Sequence, residues 1–267
     1  MCRWLIDSKL LQQSLLFLYF LLTGLAVGSY LNVVIHRLPR GLSTIMPVSR
    51  CPFCEHSVRL RDNIPLLSFL LLRGRCRDCS APIGWQYPLI EATTGVLFAG
   101  AFLSFGPSWE AVIAAFFGSL MIALAFIDAE HFVLPDRITL PGIIIGLALQ
   151  PLIGWTSLTS AALGAAAGAG IILGMNGLWW LLRRVQGFGL GDVKMLAMIG
   201  AFLGLRGVAL TLFISTLFGS LVGLVLMVRG KIQMRSRLPF GVFLAIGAIV
   251  SLFFAPALFA WYLSFFP

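Results

Sequence analysis

Two aspartates stand where an acidic side chain is costly to keep. Asp128 closes an apolar run in Ile127-Asp128-Ala129-Glu130-His131-Phe132-Val133-Leu134-Pro135-Asp136. Asp192 follows a glycine-rich turn in Gly187-Phe188-Gly189-Leu190-Gly191-Asp192-Val193-Lys194. Both lie where a hydrophobic segment meets a short polar loop, in a chain with only 10 acidic residues. Two carboxylates a few Å apart can share one proton. The ionised partner takes a proton from water while the protonated one hydrogen-bonds a scissile carbonyl, which is the chemistry of peptide hydrolysis. The three histidines, His36, His56 and His131, suggest no Ser–His or Cys–His nucleophile. Helix ends divide the roles. Asp192 opens a helix, where the dipole favours negative charge, and Asp128 ends one, where it does not. The division makes Asp192 the base and Asp128 the acid of a pair that titrates as a unit. Glycines at 187, 189 and 191 let the backbone bend close to a substrate. The competing use of both aspartates is helix capping or ion pairing with Lys194 or Arg137. Asp136, directly after Pro135, fits capping better.

A second constellation is Cys51-Pro52-Phe53-Cys54 with Cys76-Arg77-Asp78-Cys79. Two Cys-x-x-Cys pairs at this separation predict a tetrahedral zinc site, and four protein ligands close its shell, so the metal is expected to be structural. The polar loop around it has little to bury, and a metal would supply the missing folding energy. Two disulfides are the alternative, disfavoured in a reducing compartment. Cys2 stands apart from this set. Asn32 and Glu91 fall inside apolar runs flanking the loop. Polar groups there face a cavity or partner, or pair with each other or with backbone.

The elements that must position these groups are membrane helices. The chain is 59% hydrophobic and 11% charged over 267 residues, against about a quarter charged in a soluble domain. The fold class expected is an all-α polytopic membrane protein with about eight transmembrane helices. The spans are roughly 10–34, 88–106, 110–127, 138–154, 158–182, 193–205, 207–228 and 240–265, with the cysteine loop as a cytoplasmic domain between the first and second. The domains are a first helix (1–34), the loop domain (35–87) and a core (88–267). Small residues in 161–174 suit close helix packing. The net charge of +9 belongs to topology rather than to nucleic-acid binding. With the 35–87 loop in the cytoplasm and the sides alternating, only Arg3, Lys9 and Arg206 of the 19 basic residues fall on the far side. That bias fixes the orientation. It puts both chain ends outside the cytoplasm and both aspartates at its face.

The residues now resemble a known family. Gly28-Ser29-Tyr30-Leu31-Asn32-Val33-Val34-Ile35-His36-Arg37-Leu38-Pro39, the paired cysteines, Asp62-Asn63-Ile64-Pro65, Asp128 with Leu134-Pro135-Asp136, and Gly189-Leu190-Gly191-Asp192 are similar to the type IV prepilin peptidases, over nearly the whole chain. The Gly-x-Gly-Asp form is shared with other intramembrane aspartyl proteases, and the cysteine loop points to the subfamily that is also an N-methyltransferase. The resemblance implies a bacterial inner-membrane enzyme of type IV pilus or type II secretion systems, with Asp128 and Asp192 catalytic. Its substrates would be prepilins or pseudopilins with a short basic leader, a glycine before the cut and a hydrophobic helix after it. The new N-terminus would be methylated from S-adenosylmethionine. That activity attaches to the 28–91 region, with Asn32, His36, Arg37, Asp62, Asn63 and Glu91 as methyltransferase or substrate positions. No Rossmann-like glycine motif opens a helix there to mark a donor site. No nucleic-acid partner is expected, and membrane lipids are. A peptidase with the loop as a mere zinc-held cap, and a transporter using the two carboxylates as ion sites, are the alternatives. The latter is opposed by the placement of both aspartates at one face and by the lack of an inverted repeat.

Overall fold

A computed structural model describes residues 2–46, 49–184, 189–230 and 238–265. Gly187 of the glycine-rich turn, and Lys231, Arg235 and Arg237 of the last predicted loop, lie outside the described residues. The described chain is helical: α1 (Cys2–Arg37), α2 (Leu67–Leu71), α3 (Gln86–Phe105), α4 (Trp109–His131), α5 (Asp136–Ala148), α6 (Leu158–Arg183), α7 (Leu190–Val228) and α8 (Phe240–Leu263). Six of these, all but α2 and α5, are long and apolar enough to cross a membrane. Large apolar side chains such as Leu103, Leu163, Phe213 and Trp261 are exposed along them, as a lipid-facing surface requires. The chain is a multi-pass membrane protein.

One expected span takes a different form. The fourth, read as 138–154, becomes the 13-residue α5 followed by a short 3-10 turn, Gln150–Leu152. The sixth and seventh, read as 193–205 and 207–228, are the two helical halves of α7, which meet at a break at Gly204. The break follows from backbone chemistry. Gly204 has φ 69° and ψ −172°, a region essentially closed to any other residue. A Cβ there would also lie 2.5 Å from Thr156 Oγ1 and 2.7 Å from Ser160 Oγ.

Leaving the helical path frees backbone groups, which in an apolar environment must be bonded elsewhere. The Gln150 amide supplies the missing donor. Its Nε2 donates to the carbonyls of Ala201 at 2.6 Å and Phe202 at 3.2 Å. On the other side of the break, the Leu205 N–H donates to Ser160 Oγ at 3.3 Å. Gln150 of the α5–α6 connection and Ser160 in the first turn of α6 thus supply hydrogen bonds to the backbone around the break in α7.

The chain divides into two compact units, Met1–Ala123 and Leu124–Pro267. In the first, α1 packs along α3. Gly28 lets the helices meet closely, since a Cβ there would stand 2.7 Å from the Cα of Glu91. In the second, α7 is central and contacts α5, α6 and α8. The small residues of α6 serve as the sequence led us to expect: a Cβ on Gly168 would meet the Leu196 carbonyl oxygen of α7 at 2.6 Å.

Gln150→Leu removes the donor to two buried carbonyls while keeping most of the side-chain volume. It is expected to lower stability by about 1–3 kcal/mol. The check is the thermal unfolding midpoint of the detergent-solubilised protein against wild type.

Candidate active site

The two aspartates belong to the second unit, where the beginnings of α7 and α8 meet the end of α4. Phe132, in a left-handed conformation at φ 53°, ends α4, and its N–H bonds back to the Asp128 carbonyl at 2.9 Å. The chain then runs through Val133 and Leu134 to Pro135, which caps α5. Leu134 is buried between two glycines. A Cβ on Gly191, in α7, would lie 2.9 Å from Leu134 Cβ. A Cβ on Gly241, in the first turn of α8, would lie 3.1 Å from Leu134 Cδ2 and 2.8 Å from Asp128 Oδ2. Side chains at either position would push the carboxylates' supports apart.

Asp128 is 6% exposed. The backbone N–H groups of Gly241 and Val242 face its carboxyl, and its Oδ2 is buried with no hydrogen-bond partner. Asp192 is half-buried in the first turn of α7, and its Oδ2 accepts the Gly189 N–H at 3.1 Å. That is the back-reaching half of a capping box, and it fixes the carboxyl's direction. The two carboxyls are near enough for their charges to interact. Lys194, offered by the sequence as a partner for Asp192, instead bonds Asp136 at 2.6 and 2.7 Å. Asp136 makes no side-chain cap of α5; the ion pair is its role. Among the described residues, neither Asp128 nor Asp192 is in an ion pair with Lys or Arg. The α8 amides have no counterpart among the residues that the sequence singles out, and Leu134 enters there only as part of the Leu134-Pro135-Asp136 motif. Pro239-Phe240-Gly241 opening the last span was the available signal. These amides also change the dipole argument: Asp128 ends α4 yet faces the positive end of α8, so helix ends alone do not separate the two roles.

In the first unit the four cysteines converge. Their sulfurs all lie within 4.8 Å of one another, with Cys51–Cys79 at 3.8 Å and Cys54–Cys76 at 4.0 Å. A tetrahedral zinc with bonds of about 2.3 Å sets its sulfurs about 3.8 Å apart. A disulfide needs about 2.05 Å, and the four thiols are free. The two knuckles share one backbone design. Cys51 N–H bonds the His56 carbonyl and Cys76 N–H the Ala81 carbonyl, while Glu55 and Ser80 both turn through φ 58°. Backbone N–H groups of Cys54 and Phe53 aimed at the Cys51 sulfur hold its thiol down at about 7, easing the thiolate a metal needs. These residues fit zinc. Ion pairs tie the knuckles to the intervening chain: Arg77 forks onto Asp62 at 2.6–3.1 Å, and Arg59 reaches Asp78 at 3.3 Å.

Comparison with known proteins now bears on both sites. Residues 22–105 match a family described as the bacterial peptidase A24 N-terminal domain, and residues 115–224 match the type IV leader peptidase family. A prepilin leader peptidase/N-methyltransferase of Burkholderia pseudomallei (strain 1026b) is 39% identical over 88% of this chain and 84% of its own. Proteins of the same name from Aeromonas hydrophila (36% identical, 94% of this chain, 93% of theirs) and Pseudomonas aeruginosa (35%, 92% and 92%) are also similar. The chain belongs to the type IV leader peptidase family. No solved structure matches it significantly.

The remaining positions singled out by the family resemblance lie in the A24 N-terminal match. Asn32 Nδ2 donates to the carbonyls of Gly28 at 3.3 Å and Tyr87 at 3.2 Å, joining α1 to α3. Glu91 Oε2 accepts the Leu66 N–H at 2.8 Å, joining α3 to the chain before α2. The pairing with backbone expected as one option for these two residues is what the structure shows. His36 and Arg37 sit in the last turn of α1, where Arg40 donates to His36 Nδ1 at 3.0 Å and Arg37 to the Ser43 carbonyl at 3.2 Å. Asn63 ends a 3-10 turn, Leu60–Asn63, that also carries Asp62. The structure therefore ties Glu91 to Leu66 of the Asp62–Ser68 segment and Asn32 to the start of α3, and leaves His36 and Arg37 at the end of α1.

The Arg77 guanidinium holds the Asp62 carboxyl below its ordinary range. A lowered folded-state value stabilises the fold above about pH 3.9, the unfolded-state value, and that gain is lost as pH falls through the folded-state value. In Asp62→Asn the loop amides are therefore expected to exchange hydrogen faster than wild type at pH 7, and the difference is expected to close below about pH 4. Hydrogen exchange of the two proteins at matched pH checks this.

Proposed function

We propose that this protein cuts the leader peptide from type IV prepilins or type II secretion pseudopilins and N-methylates the new N-terminal residue, working at the cytoplasmic face of the bacterial inner membrane. The observation that carries the reading is the approach of Asp128 and Asp192, neither neutralised by a described cation, in a chain of this family. The names of the similar proteins supply the substrate class and both activities. The positive-inside bias of the sequence supports the orientation, with both chain ends periplasmic.

The geometry suits an acid–base pair acting on water. Asp192, steadied by the Gly189 N–H, is the carboxylate that removes a proton from water. The water oxygen attacks the scissile carbonyl carbon. Asp128 carries the shared proton on its buried, unpartnered Oδ2 and donates it to the carbonyl oxygen as that oxygen gains charge. The tetrahedral intermediate then collapses: the C–N bond breaks, the leaving amine takes the proton held by Asp192, and the carbonyl re-forms by returning its proton to Asp128. The burial of Asp128, 6% exposed where Asp192 is half-buried, supports giving it the acid role. The exposed apolar helices offer the substrate's hydrophobic segment a path through lipid.

Zinc held by Cys51, Cys54, Cys76 and Cys79 would have a closed shell and supply folding energy to the loop. S-adenosylmethionine would supply the methyl group. The contacts of Asn32, Asp62 and Glu91 are with the protein's own groups and outline no donor pocket. Their part in the second activity is to hold the loop that contains it.

Asp128→Asn and Asp192→Asn are each expected to slow cleavage of a membrane-embedded prepilin by about 10²–10⁴-fold. Asp128→Asn should retain the more activity, because an amide can still donate to the carbonyl. Both should methylate a pre-cleaved pilin at the wild-type rate. A wild-type cleavage rate in either variant would overturn the dyad. For the loop, metal analysis is expected to find zinc equimolar with chain, and Cys76→Ala to lose it; disulfides without zinc would refute the site.

A further inference from the structure

The loop between α1 and α3 carries an apolar face that nothing in the first unit covers. In α2, Leu67, Leu70 and Leu71 lie at helical spacing and are 55%, 70% and 79% exposed. Trp85, the residue before α3, is 79% exposed and stacks on Phe69 of α2 with ring centroids 5.1 Å apart. The four exposed side chains therefore belong to one patch. Arg73 and Arg75 follow directly after α2, exposed and, among the described residues, in no ion pair.

The depth of this patch is set by a hydrogen bond to a membrane span. Leu66, which precedes α2, donates its N–H to Glu91 at 2.8 Å. Glu91 lies about 7–8 Å along α3 from its first residue, Gln86. The start of α2 is therefore held level with the second turn of α3, a helix apolar enough to cross the membrane. A loop that stood out in water would need no such bond. Trp85 and the half-exposed Tyr87 sit where α3 enters, the level at which amphipathic aromatic rings settle.

We propose that α2 and Trp85 form an interfacial anchor that lies in the headgroup–acyl boundary of the membrane α3 crosses. Leu67, Leu70, Leu71 and Trp85 enter the lipid, and Arg73 and Arg75 meet anionic headgroup phosphates. The anchor fixes the cysteine knuckles against the membrane. The inference depends on α3 being a membrane span and not on the peptidase chemistry.

The test is photolabelling of the full-length protein reconstituted in phosphatidylglycerol vesicles containing a lipid with a diazirine near the acyl carbonyl. The label is mapped by mass spectrometry on the tryptic peptide that begins at Asp62, which ends at Arg73 in the wild type and at Arg77 in Arg73→Gln/Arg75→Gln. The lipid is expected to label Leu67–Leu71, while a water-soluble diazirine labels Glu55 and Ser80 of the knuckles but not this segment. Leu70→Gln/Leu71→Gln should reduce lipid labelling of the segment at least roughly threefold, with prepilin cleavage reporting that the variant is folded. Arg73→Gln/Arg75→Gln should reduce it in phosphatidylglycerol and leave it unchanged in phosphatidylcholine. Labelling of Leu67–Leu71 by the aqueous reagent alone would overturn the anchor. Protection from both reagents would overturn it too, and would point to a protein partner such as a second copy. Cleavage activity is read separately, so loss of the dyad and loss of the anchor give different results.

Discussion

The second unit depends on one close approach. Leu134 sits between Gly191 and Gly241, and neither glycine has room for a Cβ. This wedge brings the end of α4 to the beginnings of α7 and α8, and so sets a buried carboxyl, Asp128, against the amides of Gly241 and Val242. The same contact holds the first turn of α7, where Asp192 is steered by Gly189. A carboxyl with a buried, unbonded oxygen is expensive to maintain, and such groups persist where a reaction uses them.

A second constraint governs α7. A helix that must both open at Asp192 and run on for 39 residues is divided at Gly204, and the break would leave carbonyls and an amide unpaired. Gln150, between α5 and α6, and Ser160, in the first turn of α6, supply such bonds. Irregular backbone is tolerable at membrane depth only where protein completes it in this way. These two polar residues therefore support the helix that carries Asp192.

In the first unit, charge and metal ligands perform the corresponding work for a loop that has little apolar surface to bury. The equivalent backbone of the two knuckles presents four sulfurs at metal-binding separation. Asp62–Arg77 and Arg59–Asp78 link the second knuckle to the chain between them. Asn32 joins α1 to α3 and Glu91 ties the loop to α3, both through backbone groups. Membership in the type IV leader peptidase family gives this arrangement its context, since the loop falls within the A24 N-terminal match.

Sequence by itself determined the class of molecule, because lipid permits few ways to bury a chain that is 59% hydrophobic. It also singled out the chemistry-bearing residues, because Asp at the edge of an apolar run and paired Cys-x-x-Cys are rare without a use. Hydropathy separated 193–205 from 207–228, but could not tell that Gly204 makes the break or which side chains bond the backbone around it. Nor could it show that Lys194 would choose Asp136, 58 residues away, over Asp192, two residues away. Ion-pair choice depends on which helix starts face each other, and that is a matter of packing. The amides of Gly241 and Val242 were beyond the reach of sequence for the same reason: a backbone N–H has no letter of its own, and only the tertiary structure decided which carboxyl it would meet.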